Sequence, residues 1–181
     1  MARISPFVLI PPLAFAAVAG LFLGGMFFGN GRELPSTLIG QTAPAVPQEA
    51  LAGQPMLTDA DLRSGELTLV NFWASWCPPC LKEMPDLEGL ARDMKGRAFS
   101  LVALSGDDSW AQVDPVFGGQ PLEMKVFRDP QPNKQHLSYG TEKLPETYVI
   151  DKQGRLRLRF INVQPWRDEE LRSYLEWLAD E

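Results

Sequence analysis

The chain has 181 residues, with 17 lysines and arginines against 23 aspartates and glutamates, which gives a formal net charge of −6. Apolar residues make up 45% of it, a composition that is typical of globular proteins and excludes a disordered or fibrous one. The acidic balance disfavours phosphate binding, so we expect no nucleic-acid partner. The length supports one compact domain beyond the N-terminal segment.

The N-terminal segment has no ionisable side chain between Arg3 and Arg32. Within it, Ile4–Gly29 is apolar and long enough to cross the ~30 Å hydrocarbon core as a helix. A cleaved signal peptide is the alternative, because Ala17-Val18-Ala19 has the small-x-small pattern of a processing site. The apolar run continues beyond that site, which favours a retained anchor over residues 1–29. The positive-inside rule then leaves Arg3 in the cytoplasm and the rest of the chain outside.

Residues 30–55 contain four prolines and three glycines without helical or strand periodicity. This composition is typical of a tether or an irregular wrap. We therefore predict a linker over residues 30–55 and a folded domain over residues 56–181.

The predicted elements of the domain begin with Leu67–Trp73, a continuous apolar run that indicates a strand covered on both faces. A helix follows over Cys77–Met94, where apolar residues recur at three- and four-residue steps. Ala98–Leu104 is the next strand, and these three elements form a parallel β-α-β unit.

The second half of the domain has weaker signals. A helix is predicted over Trp110–Phe117, and Met124–Phe127 is a candidate short strand. Glu146–Ile150 and Leu156–Ile161 are β-rich runs around a hairpin signal, and an amphipathic helix over Arg167–Ala179 closes the chain. The order β-α-β-α-β-β-α predicts an α/β fold.

The chain has two cysteines, Cys77 and Cys80. A disulfide across so short a loop would contribute little to stability, so a purely structural role for the two cysteines is disfavoured. A zinc site needs about four ligands, and the chain offers this pair and one histidine, His136. Redox chemistry is therefore the favoured interpretation.

The two cysteines lie where a buried strand turns into a helix. At the helix N-terminus, unpaired N–H groups and the positive dipole end favour a thiolate at Cys77, which is the nucleophile of disulfide exchange. Cys80, one turn along the same face, can attack a mixed disulfide at Cys77 and release the substrate. Pro78 and Pro79 between them restrict the backbone.

Three stretches carry a resemblance to a known family: Val70–Cys80 (VNFWASWCPPC), Lys82–Pro85 (KEMP) and Leu144–Asp151 (LPETYVID). They resemble a thioredoxin-fold protein, and more narrowly the membrane-anchored thiol–disulfide oxidoreductases of cytochrome c maturation, the DsbE/CcmG type. Leu34–Gly40 is similar to the segment that follows the anchor in that family. The resemblance implies a thioredoxin fold, a central mixed sheet flanked by helices, with an N-terminal transmembrane anchor.

The resemblance also implies that Pro145 is a cis proline packed against the dithiol, with the backbone before it available to pair with an extended substrate. Trp76 is a candidate for the docking surface, the alternative being partial burial against its loop. The predicted substrate-binding residues are Trp76, Pro78, Pro79, Leu144 and Glu146.

Glu83 lies three residues beyond Cys80, and residues at i and i+3 share one face of a helix. It is a candidate proton acceptor and donor for Cys80, or a group that raises thiol pKa values. The alternative is a solvated side chain beside Lys82. By resemblance, Glu146 is the second member of an acidic rim. The predicted catalytic residues are thus Cys77, Cys80, Glu83 and Pro145.

The chain departs from the family pattern at three places. General thioredoxins carry a buried aspartate where this chain has Asn71, which leaves Glu83 as the substitute proton carrier. Lys143 stands where relatives commonly have glycine, and Phe160–Val163 lacks the glycine usual after the last strand.

By resemblance, the chain is a reductant in cytochrome c biogenesis, held in the bacterial inner membrane by a single pass with its C-terminal domain in the periplasm. Its partners would be apocytochrome c or a haem-lyase or other maturation partner, and a DsbD/CcdA-like transmembrane thiol donor. The redox-active disulfide needs no cofactor or metal. The alternatives are a reductant for copper-site assembly in an oxidase, a disulfide-introducing oxidant and a metal-binding dithiol module.

Overall fold

The computed structural model describes residues 10–13, 15, 17–20, 37–46, 48–130 and 138–181. The chain divides into two compact units, Met1–Leu34 and Pro35–Glu181. The described residues of the first unit are helical. Within the ranges given above, no helix is both long and apolar enough to span a membrane. Most of the anchor predicted over residues 1–29 lies outside the described residues, so the anchor stays a prediction. His136 also lies outside the described residues.

The described residues of the second unit include six strands, three α-helices and a short 3-10 helix at Asp61–Arg63. The strands are β1 (Glu49–Ala50), β2 (Leu67–Trp73), β3 (Phe99–Ser105), β4 (Lys125–Arg128), β5 (Glu146–Ile150) and β6 (Leu156–Ile161). The helices are α1 (Pro78–Asp93), α2 (Trp110–Phe117) and α3 (Glu169–Asp180).

The six strands form one mixed sheet in the order β1-β4-β3-β2-β5-β6. β2, β3 and β4 run parallel, whereas β5, β6 and β1 each run antiparallel to their neighbours. This confirms the predicted α/β class and the parallel first unit. The observed order adds β1 and β4 to the predicted order, and β4 confirms the candidate strand at Met124–Phe127. β1 has two residues, too few to show a periodicity in the sequence.

The central strand β2 is buried along its whole length, as its apolar sequence predicts. Alternate side chains enter two different apolar clusters, because successive residues of a strand point to opposite faces. Leu69 and Trp73 join a cluster that includes residues of α1 and α3. Val70 and Phe72 join the cluster on the other face. The dithiol helix α1 therefore packs on the face to which Asn71 also points.

The other face of the sheet is covered by the chain that precedes β2. Ala43, Val46 and Leu57 are buried there. The Gly40 N–H donates to the Leu156 carbonyl at 2.7 Å, and β1 adds a strand beside β4. The described part of the predicted linker, residues 37–46 and 48–55, is thus an irregular wrap on the sheet and not a free tether.

The side chain of Gln48 stabilises this wrap through hydrogen bonds to the backbone. Its amide oxygen accepts from the Leu57 N–H at 3.1 Å, and its amide nitrogen donates to the carbonyls of Leu57 and Val46. The side chain is buried, so its removal leaves backbone groups of Leu57 without a partner.

We expect Gln48→Ala to lower the free energy of unfolding by about 2 kcal/mol, because an unsatisfied buried polar group costs roughly 1–3 kcal/mol. The matched control is Gln41→Ala, which removes an exposed amide that donates to the Thr37 carbonyl at 2.8 Å. Urea unfolding of both variants measures the difference. Equal stabilities would contradict the packed wrap.

Candidate active site

The dithiol stands at the N-terminus of α1. Cys77 is the N-cap residue in extended conformation, and Pro78 and Pro79 fill the first positions of the helix, where a missing N–H costs nothing. Cys77 and Cys80 form a disulfide, and the Cys77 Sγ accepts from the Cys80 N–H at 3.3 Å. Cys80 is fully buried, whereas 5% of Cys77 is exposed. Cys77 is therefore the sulfur that an incoming group can reach.

A groove of about 670 Å³ opens beside Cys77. Residues 76–79 line one wall and residues 141–144 another, and Gly106 and Asn162 also line the groove. Trp76 is 66% exposed on this groove, which favours the docking interpretation over burial against its loop. Among the predicted substrate-binding residues, Trp76, Pro78, Pro79 and Leu144 line the groove, and Glu146 does not.

The peptide bond between Leu144 and Pro145 is cis, as the resemblance implies. The Pro145 carbonyl accepts from the Asn162 N–H at 3.0 Å. Asn162 has a φ of 64°, in the left-handed region that favours glycine and tolerates asparagine. The asparagine thus occupies a position with the backbone conformation of the glycine that the sequence lacks.

The side chain of Glu146 is buried against the sheet and is not part of an acidic rim. It is 1% exposed, and its carboxylate pairs with the Arg159 guanidinium at 2.7 Å. The Tyr148 hydroxyl donates to the same carboxylate at 3.0 Å, and burial raises the pKa of that hydroxyl to about 12. The predicted rim position is therefore corrected: sequence neighbours of Pro145 alternate between the two faces of β5, and Glu146 points to the face where Arg159 meets it.

Glu83 is also buried, with 1% of its surface exposed, so the solvated alternative beside Lys82 is wrong. The Asn71 amide donates to Oε1 at 2.8 Å, and the Trp166 indole donates to Oε2 at 3.1 Å. Burial raises the pKa of Glu83 above its ordinary value of 4.5, while these bonds and one from the Gln164 backbone oppose the rise. Glu83 follows Cys80 by three residues in α1, and its carboxylate is held by hydrogen bonds and shielded from water.

Asn71 links this carboxylate to the sheet. Its amide nitrogen also donates to the Thr147 hydroxyl at 2.9 Å, directly across the β2–β5 pair. Its amide oxygen has no hydrogen-bond partner in the part of the chain that the structure describes. The neutral amide donates to Glu83 without adding a second negative charge beside it.

Asp107 ties the loop after β3 to the loop that carries the dithiol. Its carboxylate accepts from the Ser75 N–H at 2.8 Å, from the Ser75 hydroxyl at 2.7 Å and from the Ser105 hydroxyl at 2.6 Å. The sequence predicted a loop at Asp107 but did not predict that its carboxylate holds the dithiol loop. The available signal was an acidic residue directly after a buried parallel strand, at the edge where such loops meet.

The residues that could ligate a metal at this site are the two cysteines in their reduced form. In residues 37–46, 48–130 and 138–181, and in the short described helix before them, no group of three or more His, Cys, Asp or Glu side chains is arranged to hold a metal ion.

Comparison with known proteins identifies the family. Residues 39–159 match the family model described as the AhpC/TSA family. The chain belongs to the AhpC/TSA family. It is similar to the thiol:disulfide interchange protein HelX of Rhodobacter capsulatus, at 36% identity over 85% of each chain. It is also similar to the thiol:disulfide interchange protein DsbE homolog of Paracoccus denitrificans, at 36% identity over 86% of this chain and 84% of that one.

The fold has a counterpart among solved structures. The thioredoxin domain of a thiol-disulfide oxidoreductase from Bacteroides vulgatus superposes with a TM-score of 0.64 at 20% identity, covering 78% of this chain and 97% of that one. The predicted thioredoxin fold is thereby confirmed. With the family, the curated relatives and the disulfide, the chain is a thiol–disulfide oxidoreductase.

The raised pKa of Glu83 predicts a pH dependence of stability. A carboxyl group whose pKa is higher in the folded state stabilises the fold below its unfolded pKa, and this contribution is lost as pH rises through the folded pKa. In the oxidised protein, where the cysteines do not titrate, the unfolding free energy of wild type should therefore fall relative to Glu83→Gln as pH rises from about 4. Urea unfolding at a series of pH values measures this. A constant difference would contradict a raised pKa.

Proposed function

We propose that this chain is a membrane-anchored, periplasm-facing reductant in cytochrome c biogenesis, which keeps the haem-attachment cysteines of apocytochrome c reduced. The observation that carries the proposal is a disulfide at the N-terminus of α1, with Cys77 facing a groove, in a chain 36% identical to a curated thiol:disulfide interchange protein. The client class comes from the resemblance to oxidoreductases of cytochrome c maturation.

The reaction begins with the Cys77 thiolate, which the helix N-terminus stabilises. It attacks one sulfur of a client disulfide, and the other client sulfur leaves as a thiolate. A client segment bound in the groove between residues 76–79 and 141–144 would present its disulfide to Cys77. The product is a mixed disulfide between Cys77 and the client.

Cys80 completes the cycle. Its thiol loses a proton to the Glu83 carboxylate, and the resulting thiolate attacks the Cys77 sulfur. The bond between Cys77 and the client breaks, the second client sulfur leaves as a thiolate, and the Cys77–Cys80 disulfide forms. The client gains two electrons and the dithiol loses two, so the step needs no cofactor or metal.

The protein must then be reduced again, which we assign to a transmembrane thiol donor of the DsbD/CcdA-like class. The anchor over residues 1–29 would hold the domain at the inner membrane beside this donor. The apolar N-terminal sequence supports the anchor, and the resemblance supports the periplasmic side.

Replacing Cys80 with alanine should trap clients. Without the resolving sulfur, the mixed disulfide at Cys77 persists and is visible after non-reducing electrophoresis of periplasmic extracts. Cys77→Ala is the matched control, because it keeps one cysteine but not the one that faces the groove. We expect apocytochrome c or a maturation partner among the trapped species. Trapped copper-site proteins without any cytochrome component would refute the proposed client.

The reduction potential tests the direction of the reaction. A reductant should have a potential clearly below the roughly −120 mV of a dedicated periplasmic oxidant such as DsbA. Equilibration of the purified protein with glutathione buffers, followed by thiol alkylation, measures it. A potential at or above that of the oxidant would mean that the protein introduces disulfides.

A further inference from the structure

Trp166 is a buried residue that the sequence analysis did not assign to the site. We infer that Trp166 is a positioning residue for disulfide exchange: its indole N–H holds the Glu83 carboxylate one turn from Cys80, where the carboxylate exchanges a proton with the resolving thiol. This inference rests on the proton role proposed above for Glu83.

The contact is fixed at both ends. The Trp166 Nε1 lies 3.1 Å from the Glu83 Oε2, and both side chains are buried. The indole stands edge-on to Phe160 with the ring centroids 5.5 Å apart. On the opposite side, the Asn71 amide nitrogen lies 2.8 Å from Oε1. Since each carboxylate oxygen has a donor from a different part of the fold, rotation of the carboxylate would break one of the two bonds.

The chemistry of the donor decides what it does. An indole N–H donates and cannot accept, so it stabilises the ionised carboxylate and not the proton on it. The charged group that acts on Glu83 is Asp86 on the same helix, which opposes ionisation. The groups that meet Glu83 from β2 and from the segment after β6 are neutral: Asn71, Gln164 and Trp166. Trp166 therefore favours the proton-accepting form of Glu83 without placing a positive charge beside the dithiol.

The chain contains a matched control for this contact. Trp73 is fully buried in the same apolar cluster as Trp166. Its indole N–H has no hydrogen-bond partner in the described residues. Trp73→Phe and Trp166→Phe thus make the same chemical change in the same cluster, but only the second removes a donor from Glu83.

The first experiment measures the single-turnover rate at which the reduced full-length protein reduces a synthetic peptide disulfide, as a function of pH. In Trp166→Phe, we expect the acidic limb of the profile to move to higher pH, with a rate about tenfold lower on that limb, because one hydrogen bond to the ionised carboxylate is lost. Trp73→Phe should keep the wild-type profile shape. In a Glu83→Gln background, Trp166→Phe should cause no further shift.

Coincident profiles of Trp166→Phe and wild type would overturn the inference. A shift that persists in the Glu83→Gln background would also overturn it, because the tryptophan would then act through another group.

A second measurement uses the unaltered tryptophans and so does not depend on the folding of Trp166→Phe. The chain has five tryptophans, and the indole ¹H–¹⁵N resonance of Trp166 should titrate with Glu83 and lose this titration in Glu83→Gln. A Trp166 resonance that does not respond to pH overturns the inference alone. If the resonance titrates but Glu83→Gln has the wild-type rate profile, the proton role proposed for Glu83 is wrong and the inference fails with it.

Discussion

The burial of the Glu83 carboxylate in the dithiol helix α1 is the constraint that organises this site. A carboxylate removed from water destabilises a fold unless its oxygens find donors. Here one donor comes from Asn71 on the central strand and another from Trp166 after the last strand. These two donors allow α1 to pack against the sheet with Glu83 buried. The dithiol at the start of α1 is therefore aligned by the same contacts that make the buried carboxylate tolerable.

Two further buried carboxylates fix the walls of the groove. Asp107 accepts from the backbone and hydroxyl of Ser75, two residues before Cys77, which holds the dithiol loop. Glu146 follows the cis proline and pairs with Arg159 on β6, which holds the other wall. Because each acid is satisfied by hydrogen bonds or an ion pair, neither presents a free negative charge to a client. The accessible part of the groove is formed instead by Trp76, the two prolines and residues 142–144.

The helices α1 and α3 and the wrap pack on different faces of the sheet. The face with α1 and α3 carries the dithiol and the buried Glu83 carboxylate. On the opposite face, residues 37–46 and 48–63 contribute scattered apolar side chains such as Val46 and Leu57. Gln48 supplies side-chain hydrogen bonds where this irregular segment cannot form a ladder. The apolar side chains on both faces of the sheet are thus shielded from water.

The sequence by itself determined the parts that depend on local pattern. The continuous apolar run of β2, the periodicity of α1 and the spacing of Cys77 and Cys80 predicted a strand, a helix and a dithiol at their junction. Resemblance added the thioredoxin fold and the cis bond before Pro145. The strand, the helix and the spacing of the cysteines are each encoded within a few residues, where backbone geometry and solvation act directly on the local chain, whereas the fold and the cis bond came from the resemblance.

Only the tertiary structure decided which polar groups meet. The Glu83–Trp166 bond joins residues 83 positions apart, and the Asn71–Thr147 bond joins residues 76 positions apart. No local periodicity carries such pairings, since they depend on which strands become neighbours and in what register. For the same reason the sequence misplaced Glu146, whose direction is set by its position in β5 and by Arg159. What the sequence established was the chemistry available to the protein, and the assembled sheet determined which donors meet the buried carboxylate of Glu83.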